Sequence, residues 1–220
     1  MPIIVLGSAD KGKQSTLRWS KPSGWAGRLS VWSMNRRHSK LTDWGLGHVT
    51  ITAGDTILDV GCGGGRTVAK LAARSGSGRV HGIDFAPASV AVARRTNRAA
   101  IALDKVAIEQ ASVEALPFAS DTFDLVTAVE THFWWGDTLG NGMREARRVL
   151  KEGGRMVVIA EFYRGGKHIK YAERLGQVTG MAALDVAQHE AMFADAGFTD
   201  VRIVEDERRG WICGVGTKPS

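Results

Sequence analysis

The sequence predicts an α/β protein built on a doubly wound, mostly parallel sheet of seven strands with helices on both faces. Segments typical of strands alternate with segments typical of helices along most of the chain. The strand segments are apolar through most of their length, which is typical of strands that are covered on both faces. The last two strand segments are joined only by the short charged link 207–210, which predicts a C-terminal antiparallel hairpin at the edge of the sheet.

The individual elements follow from apolar runs, from helical spacing and from residues that start or end helices. Runs such as TILDV and RMVVIAEF indicate buried strands, whereas PASVAVARRTNRAAIAL has apolar residues at helical spacing. Pro87 suits the first turn of a helix, and Gly76 and the Gly153-Gly154 pair suit helix ends. Strands are predicted at 56–60, 78–84, 106–112, the later part of 117–130, 155–162, 198–206 and 210–219. Helices are predicted at 65–76, 87–103, 138–154 and 187–197.

Positive charge is concentrated at the start of the chain. Of the net charge of +6 over 220 residues, residues 1–40 contribute eight Lys and Arg against the single acid Asp10, and the remainder is close to neutral. We interpret residues 1–23 as a flexible basic leader, 24–50 as an N-terminal helical lid, and 51–220 as one domain. A basic arm can contact nucleic acid or an anionic membrane, and it can also be a solvated tail or a helix that covers an acidic surface.

Composition excludes several classes of protein. No run of about 18 apolar residues is present, so no membrane span is expected. The N-terminal PIIVLG lacks the basic start and the cleavage site of a secretory signal. The two cysteines, Cys62 and Cys213, form neither a disulfide framework nor a metal-ligand cluster, so no metal site is predicted. These features together predict a cytoplasmic protein.

Glycines crowd the turn between the first predicted strand and its helix. The stretch from Asp59 to Gly65 reads D-x-G-x-G-x-G. The dinucleotide pattern G-x-G-x-x-G fails here, because its last glycine would fall on Arg66 if the pattern starts at Gly61 and on Val68 if it starts at Gly63. A dehydrogenase is therefore disfavoured, while a tight structural turn remains an alternative.

An acid ends the second predicted strand and complements the glycine turn. Asp84 lies 19 residues beyond Gly65, where a carboxylate in such a sheet can accept hydrogen bonds from ribose hydroxyls. Because ligands in doubly wound sheets bind beyond the carboxyl ends of the strands, the turn and the acid together predict a ligand that contains a nucleoside.

Four stretches make the family recognisable. LDVGCGGG, GIDFAPASVAVAR, VEALPFASDTFDLV and EARRVLKEGGRMVV together resemble the class I S-adenosylmethionine-dependent methyltransferases, within them the branch of the ubiquinone/menaquinone methyltransferases. The resemblance covers roughly residues 55–217, apart from an insertion at 162–186. It implies the Rossmann-like methyltransferase fold, S-adenosylmethionine as cofactor and S-adenosylhomocysteine as product.

The resemblance also implies roles for single residues in cofactor binding. Gly61 and Gly63 would contact the methionine portion, with Asp59 near its ammonium group, where opposite charges attract. Asp84 would hold the ribose, and Phe85 would offer an apolar face to the adenine. Asp59 as a turn cap and Phe85 as ordinary core are the alternatives.

The adenine contact departs from the family pattern. Where the family often has an acid, this chain has Ser112, so the contact would depend on the Ser112 hydroxyl and the Val113 backbone; Ser112 as a plain turn residue is the alternative. At the end of the fourth predicted strand, Glu130 and Thr131 would border the cofactor.

Candidate substrate residues follow the fourth strand and lie in two further segments. His132 is the candidate base, because histidine changes charge near neutral pH, although a lone histidine can also be structural. Phe133, Trp134 and Trp135 suggest an aromatic wall for an apolar or planar substrate, or packing under the lid. Trp32 lies on an apolar stripe of the lid, and the insertion carries Tyr163, His168 and Tyr171 as possible substrate contacts.

The resulting functional hypothesis is methyl transfer to a small apolar or aromatic metabolite by in-line displacement, which depends chiefly on alignment. An RNA or protein methyltransferase that uses the basic arm is the first alternative, since phosphate contacts and base stacking use such residues. A non-enzymatic S-adenosylmethionine-binding protein is the second. Gly7, Gly12 and Lys13 match part of a phosphate loop, but Gln14 replaces the hydroxyl that such a loop needs. The oligomeric state stays open.

Overall fold

The computed structural model describes residues 39–220, apart from the side chains of Leu175, Val178 and Thr179. The predictions for the basic leader and for Trp32 lie outside the described residues. The strands are β1 Ile57–Val60, β2 Val80–Asp84, β3 Val106–Gln110, β4 Phe123–Val129, β5 Leu150–Ala160, β6 Thr199–Asp206 and β7 Trp211–Thr217. The helices are α1 Ser39–Leu46, α2 Arg66–Arg74, α3 Pro87–Thr96, α4 Arg98–Ala102, α5 Leu139–Val149, α6 Ile169–Thr179 and α7 Val186–Asp195, with 3-10 turns at His132–Trp134 and Gly136–Thr138.

One seven-stranded sheet organises the described residues, in the order β3-β2-β1-β4-β5-β7-β6. β7 runs antiparallel to both β5 and β6, and the other neighbours are parallel. The predicted fold class is confirmed. Because β1 lies between β2 and β4, the connections after β1 and β4 leave toward opposite sides and open a crevice at the edge where the parallel strands end. We call this edge the carboxyl edge.

Alternating side chains of the strands supply two apolar layers. Leu58, Phe123 and Met156 face a cluster shared with α5 and α7, whereas Ile57 and Val157 face a cluster shared with α1, α2 and α3. All five side chains are fully buried, and each stabilises the fold by about 1.5–3 kcal/mol through removal of apolar surface from water. The two layers fix the strands and therefore the position of the carboxyl edge.

The described part of the predicted lid packs on a face of the sheet. A Cβ on Gly45 of α1 would lie 2.5 Å from the Cδ1 atom of Ile159, so only a glycine allows this close approach to β5. Cys213 of β7 also contacts the helix, with its Sγ atom 3.6 Å from the carbonyl oxygen of Gly45.

Two predicted helices have different boundaries in the structure. The predicted helix 87–103 is divided at Asn97, whose side-chain amide donates to the carbonyls of Gly65 and Ala93, at 2.9 and 3.0 Å. The predicted helix 138–154 ends at Val149, and the Gly153-Gly154 pair lies within β5 instead of ending a helix. These glycines occupy an irregularity in the pairing of β5 with β4, where Gly153 has a φ of 72°.

Within the described residues, no helix has the length and apolar character that a membrane crossing needs. In the same part of the chain, no three His, Cys, Asp or Glu side chains converge in a way that could hold a metal ion.

Candidate functional site

Three glycines of the turn between β1 and α2 have positive φ, but they face different surroundings. Gly61, Gly63 and Gly65 have φ values of 70°, 52° and 78°. A Cβ on Gly61 would collide with the Thr131 side chain, and a Cβ on Gly65 would lie 2.5 Å from Asn97 Nδ2. A Cβ on Gly63 would meet nothing within 4 Å. Packing within the protein therefore explains Gly61 and Gly65, whereas Gly63 borders open space.

Asp84 connects this turn to the end of β2. Its Oδ2 atom accepts the Gly63 backbone N–H at 3.0 Å, and its Oδ1 atom accepts the Ala86 N–H at 2.9 Å. Burial raises the pKa of Asp84, against the opposing effect of hydrogen bonds from Ala86, Gly63 and Ser89. Asp84 is 8% exposed, and three donors on about four lone-pair sites leave its carboxylate one acceptor site. It lies against the open turn, where the remaining site fits a ribose hydroxyl.

Asp59 is buried in the sheet and does not cap the turn that follows it. Its Oδ1 atom accepts a hydrogen bond from the Thr127 hydroxyl of β4 at 2.7 Å. Burial raises the pKa of Asp59 to about 7, the Thr127 hydrogen bond opposes the rise, and the charge of Asp84 adds to it. Two buried carboxylates on neighbouring strands form an acidic pocket that a cationic group would relieve. Sequence reasoning missed Thr127, whose only signal is a polar residue within an apolar strand.

Asp59 gives the free protein an unusual dependence of stability on pH. Its folded pKa of about 7 lies above the ordinary value of 3.8, so between these values the folded state binds more protons than the unfolded state. The contribution of Asp59 to the free energy of unfolding is therefore present in full below about pH 4. It is lost as the pH rises through about 7, and the loss is roughly 4 kcal/mol at most.

The measurement is urea unfolding of the cofactor-free protein at pH 4 and pH 7.5, compared with the Asp59→Asn variant. Asparagine retains an acceptor for Thr127 and has no charge to bury, so the variant should lose less stability over this interval than the wild type. Parallel stability curves for the two proteins would contradict a buried, titrating Asp59.

The rim of the crevice carries the predicted adenine contacts. Phe85 is 38% exposed, and its backbone carbonyl accepts a hydrogen bond from the Gln110 side chain. The Ser112 hydroxyl accepts the Glu114 N–H at 3.2 Å, which is a turn interaction. Val113 is half-buried and packs toward α5. Phe85 thus presents ring surface at the carboxyl edge, while the roles of Ser112 and Val113 toward adenine stay predictions.

The end of β4 is held in a left-handed backbone conformation at Glu130, which has a φ of 56°. The buried Glu130 carboxylate accepts the backbone N–H of Glu161, which follows β5. This contact joins the ends of β4 and β5 and places Thr131 over Gly61. Non-glycine residues adopt such backbone at a cost of order 1–3 kcal/mol, and they cluster at functional sites.

His132, the candidate base, is 1% exposed and pairs with a second histidine. Its Nε2 atom lies 3.1 Å from Nε2 of His189 in α7, which is fully buried. Burial lowers the pKa of both imidazoles, so both are neutral at pH 7. Sequence reasoning missed His189, because the two histidines are 57 residues apart.

A row of aromatic rings leads from this pair to the surface. Ring centroids lie 5.6 Å apart for Phe133 and Trp134, 6.0 Å for Phe133 and Phe162, and 5.7 Å for Phe162 and Tyr171. Trp134 is half-buried and Tyr171 of α6 is 56% exposed. These four rings, Phe133, Trp134, Phe162 and Tyr171, are called the aromatic row below.

Other predicted substrate residues are engaged in packing. The Trp135 ring lies in the core against Gly142. Tyr163 is buried and hydrogen-bonds Glu205, and burial followed by that contact raises its pKa. His168 donates from Nε2 to the Arg209 carbonyl at 3.2 Å. Tyr163 and His168 thus hold the insertion against β6 and the link that follows it, and their substrate contacts stay predictions.

Sequence comparisons relate this part of the chain to methyltransferases. A model described as a methyltransferase domain matches residues 57–154. Methyltransferase GfsG of Streptomyces halstedii is 32% identical over 141 residues, which are 64% of this chain and 50% of GfsG. The uncharacterized methyltransferase YdaC of Bacillus subtilis is 26% identical over 87% of this chain and 99% of its own length.

The quinone branch is one of several kinds of relative. The ubiquinone/menaquinone biosynthesis C-methyltransferase UbiE of Geotalea daltonii is 34% identical over 47% of this chain and 44% of its own length. The chain thus matches about half the length of GfsG and of UbiE. The wider class is supported by all of these relatives, and the narrower branch by only some.

Solved structures agree in fold. A chain of the Haloferax volcanii Trm112 methyltransferase activator complex has a TM-score of 0.75 at 23% identity, over 89% of this chain and 96% of that one. Geranyl diphosphate C-methyltransferase of Streptomyces coelicolor has a TM-score of 0.68 at 19% identity, over 90% of this chain and 86% of that one. The fold, the open glycine turn beside Asp84 and the matched domain lead to one conclusion: residues 57–154 match a methyltransferase domain, and they lie on the fold of S-adenosylmethionine-dependent methyltransferases.

Proposed function

We propose that this protein methylates a small apolar or aromatic metabolite that carries a hydroxyl group. The observation that carries the proposal is the aromatic row, which begins one residue after His132 and ends at an exposed ring on α6. Rings of this kind bind planar or apolar molecules through area and offset stacking. The UbiE relative is named as a C-methyltransferase of ubiquinone/menaquinone biosynthesis, which supports an apolar, planar acceptor.

The cofactor fits the residues at the carboxyl edge. The space beside Gly63 admits a ligand, Asp84 offers an acceptor for a ribose hydroxyl, and Asp59 offers a buried negative charge for the cofactor's ammonium. Phe85 would cover the adenine, since its side chain is partly exposed directly after the end of β2. When bound, the cofactor supplies a methyl group on a positively charged sulfur.

The residues of this chain then align an acceptor with that methyl group. Alignment alone removes a large part of the barrier for an in-line displacement, provided that the reacting atoms lie about 3–3.5 Å apart. A hydroxyl acceptor also needs a base, and His132 is a titratable group that follows β4 and adjoins Thr131. The aromatic row would hold the apolar body of the acceptor next to His132, which is buried in this structure and must be uncovered to act as a base.

Substitution of Tyr171 should weaken acceptor binding without affecting cofactor binding. In the Tyr171→Ala variant we expect the KM for the acceptor to rise about tenfold, because one stacked ring contributes about 0.5–1.5 kcal/mol beyond its buried area. The affinity for S-adenosylmethionine should not change. Leu103→Ala is the matched control, since Leu103 is an exposed apolar side chain at the start of the loop between α4 and β3, away from the carboxyl edge.

The measurement pairs calorimetry of S-adenosylmethionine binding with methyl transfer to a panel of quinols, phenols and isoprenoid alcohols, with RNA and protein acceptors included. Turnover of a macromolecule alone would replace the proposal with the first alternative. Cofactor binding without transfer to any acceptor would favour the non-enzymatic alternative.

A further inference from the structure

The groups around the pair His132–His189 determine which ring nitrogens donate hydrogen bonds and which accept them. Nδ1 of His189 lies 2.8 Å from the carbonyl oxygen of Asp185. A carbonyl oxygen only accepts hydrogen bonds, so His189 carries its proton on Nδ1. A neutral imidazole has one N–H, and Nε2 of His189 is therefore a lone-pair acceptor.

The donor and acceptor roles of His189 also determine those of His132. The two Nε2 atoms are 3.1 Å apart, and with His189 accepting, His132 must donate from Nε2. The lone pair of His132 then lies on Nδ1. Among the described residues this buried Nδ1 atom has no hydrogen-bond partner, although buried polar atoms are normally paired.

The orienting carbonyl is itself held in place. Asp185 begins α7 with a reciprocal cap, in which its side chain accepts the Gln188 N–H at 2.8 Å and the Gln188 side chain accepts the Asp185 N–H at 3.0 Å. Two carboxylates act electrostatically on His189, Asp185 at the start of α7 and Glu205 on β6, and His189 in turn acts on His132. Burial outweighs both carboxylates and keeps His189 neutral at pH 7.

We propose that His189 is a positioning residue that holds His132 in the Nε2–H tautomer, so that Nδ1 of His132 is the atom that receives the proton of the methyl acceptor. The inference rests on the proposed function and extends it to an acceptor that carries an O–H group. The acceptor oxygen gives its proton to Nδ1 and takes the methyl group as the carbon–sulfur bond breaks. The proton afterwards leaves the imidazolium for solvent.

The first test reads the tautomer without any acceptor. Long-range proton–nitrogen correlation spectra of the 15N-labelled full chain, with the His132 signals assigned by their loss in His132→Asn, should show Nε2–H on His132 and Nδ1–H on His189. His189→Leu should leave His132 with a mixture of both tautomers. His189→Gln should restore the single tautomer, because the glutamine oxygen can accept from Nε2. A wild-type His132 protonated on Nδ1 would overturn the proposal.

The second test uses the acceptor that the panel identifies. His189→Leu should lower kcat several-fold with little change in KM, because only the Nε2–H fraction of the mixed tautomers can accept the proton, whereas His132→Asn should lower kcat at least 100-fold. His189→Gln should return kcat to near the wild-type value, while His81→Leu, which alters a half-buried histidine of β2, should leave kcat unchanged. Equal losses in the Leu and Gln variants, together with equal drops in melting temperature, would show a purely structural role. Failure of every acceptor would defeat the proposed function, while the spectra would still decide the tautomer.

Discussion

Replacement of Asp84 by asparagine should weaken S-adenosylmethionine binding about 100-fold. The carboxylate accepts N–H groups of Gly63 and Ala86 on separate oxygens, and with Ser89 as a third donor it keeps one acceptor site beside the glycine turn. Asparagine has a single acceptor oxygen, and its NH₂ group would oppose one of these two N–H donors. Hydrogen bonds to a charged group contribute about 1.5–3 kcal/mol each, and a loss of about 2.8 kcal/mol corresponds to 100-fold in affinity.

The control for this variant is Asp104→Asn. Asp104 is an exposed aspartate in an ion pair with Arg79, and its φ of 54° is one that asparagine adopts readily. Both variants remove one negative charge, so a general electrostatic effect on the cofactor would appear in both. Calorimetry measures the affinities, and thermal unfolding checks that the variants fold. An Asp84→Asn protein that folds and binds the cofactor with wild-type affinity would remove Asp84 from the cofactor site.

The parts of the fold that sequence reasoning predicted are those that local signals determine. The apolar strands, the glycine turn after β1 and the final hairpin each follow from neighbouring residues, and all are present. The division of the helix at Asn97 was missed, because the residues around Asn97 all permit a helix. The break depends on a hydrogen bond to Gly65, which lies 32 residues away.

The candidate site shows the same division between local and distant causes. Asp84 was found because acid and turn have a regular spacing, and the structure places it against Gly63. The pairing of Asp59 with Thr127 spans 68 residues, and that of His132 with His189 spans 57. Such contacts exist only after the sheet has formed. The turn glycines are the clearest example of this division. Their spacing is regular in the sequence, yet packing requires Gly61 and Gly65, whereas Gly63 borders the crevice.

The same substitution at two of these glycines should therefore have opposite consequences. Gly63→Ala places a methyl group where nothing lies within 4 Å, so the fold should lose only the cost of a left-handed alanine, about 1–2 kcal/mol. The methyl group would occupy space that the cofactor needs, and we expect the affinity for S-adenosylmethionine to fall at least tenfold.

Gly65→Ala should instead damage the fold. Its Cβ would lie 2.5 Å from Asn97 Nδ2 and 2.9 Å from the Ala93 Cα atom, and a backbone atom of α3 cannot move aside alone. Overpacking costs about 1–3 kcal/mol, to which the left-handed backbone adds about 1–2 kcal/mol. Urea unfolding should show a loss of about 2–5 kcal/mol, well beyond that of Gly63→Ala.

If Gly63→Ala binds the cofactor as tightly as the wild type, the space beside Gly63 is not the cofactor site, because a methyl group there would otherwise exclude the ligand.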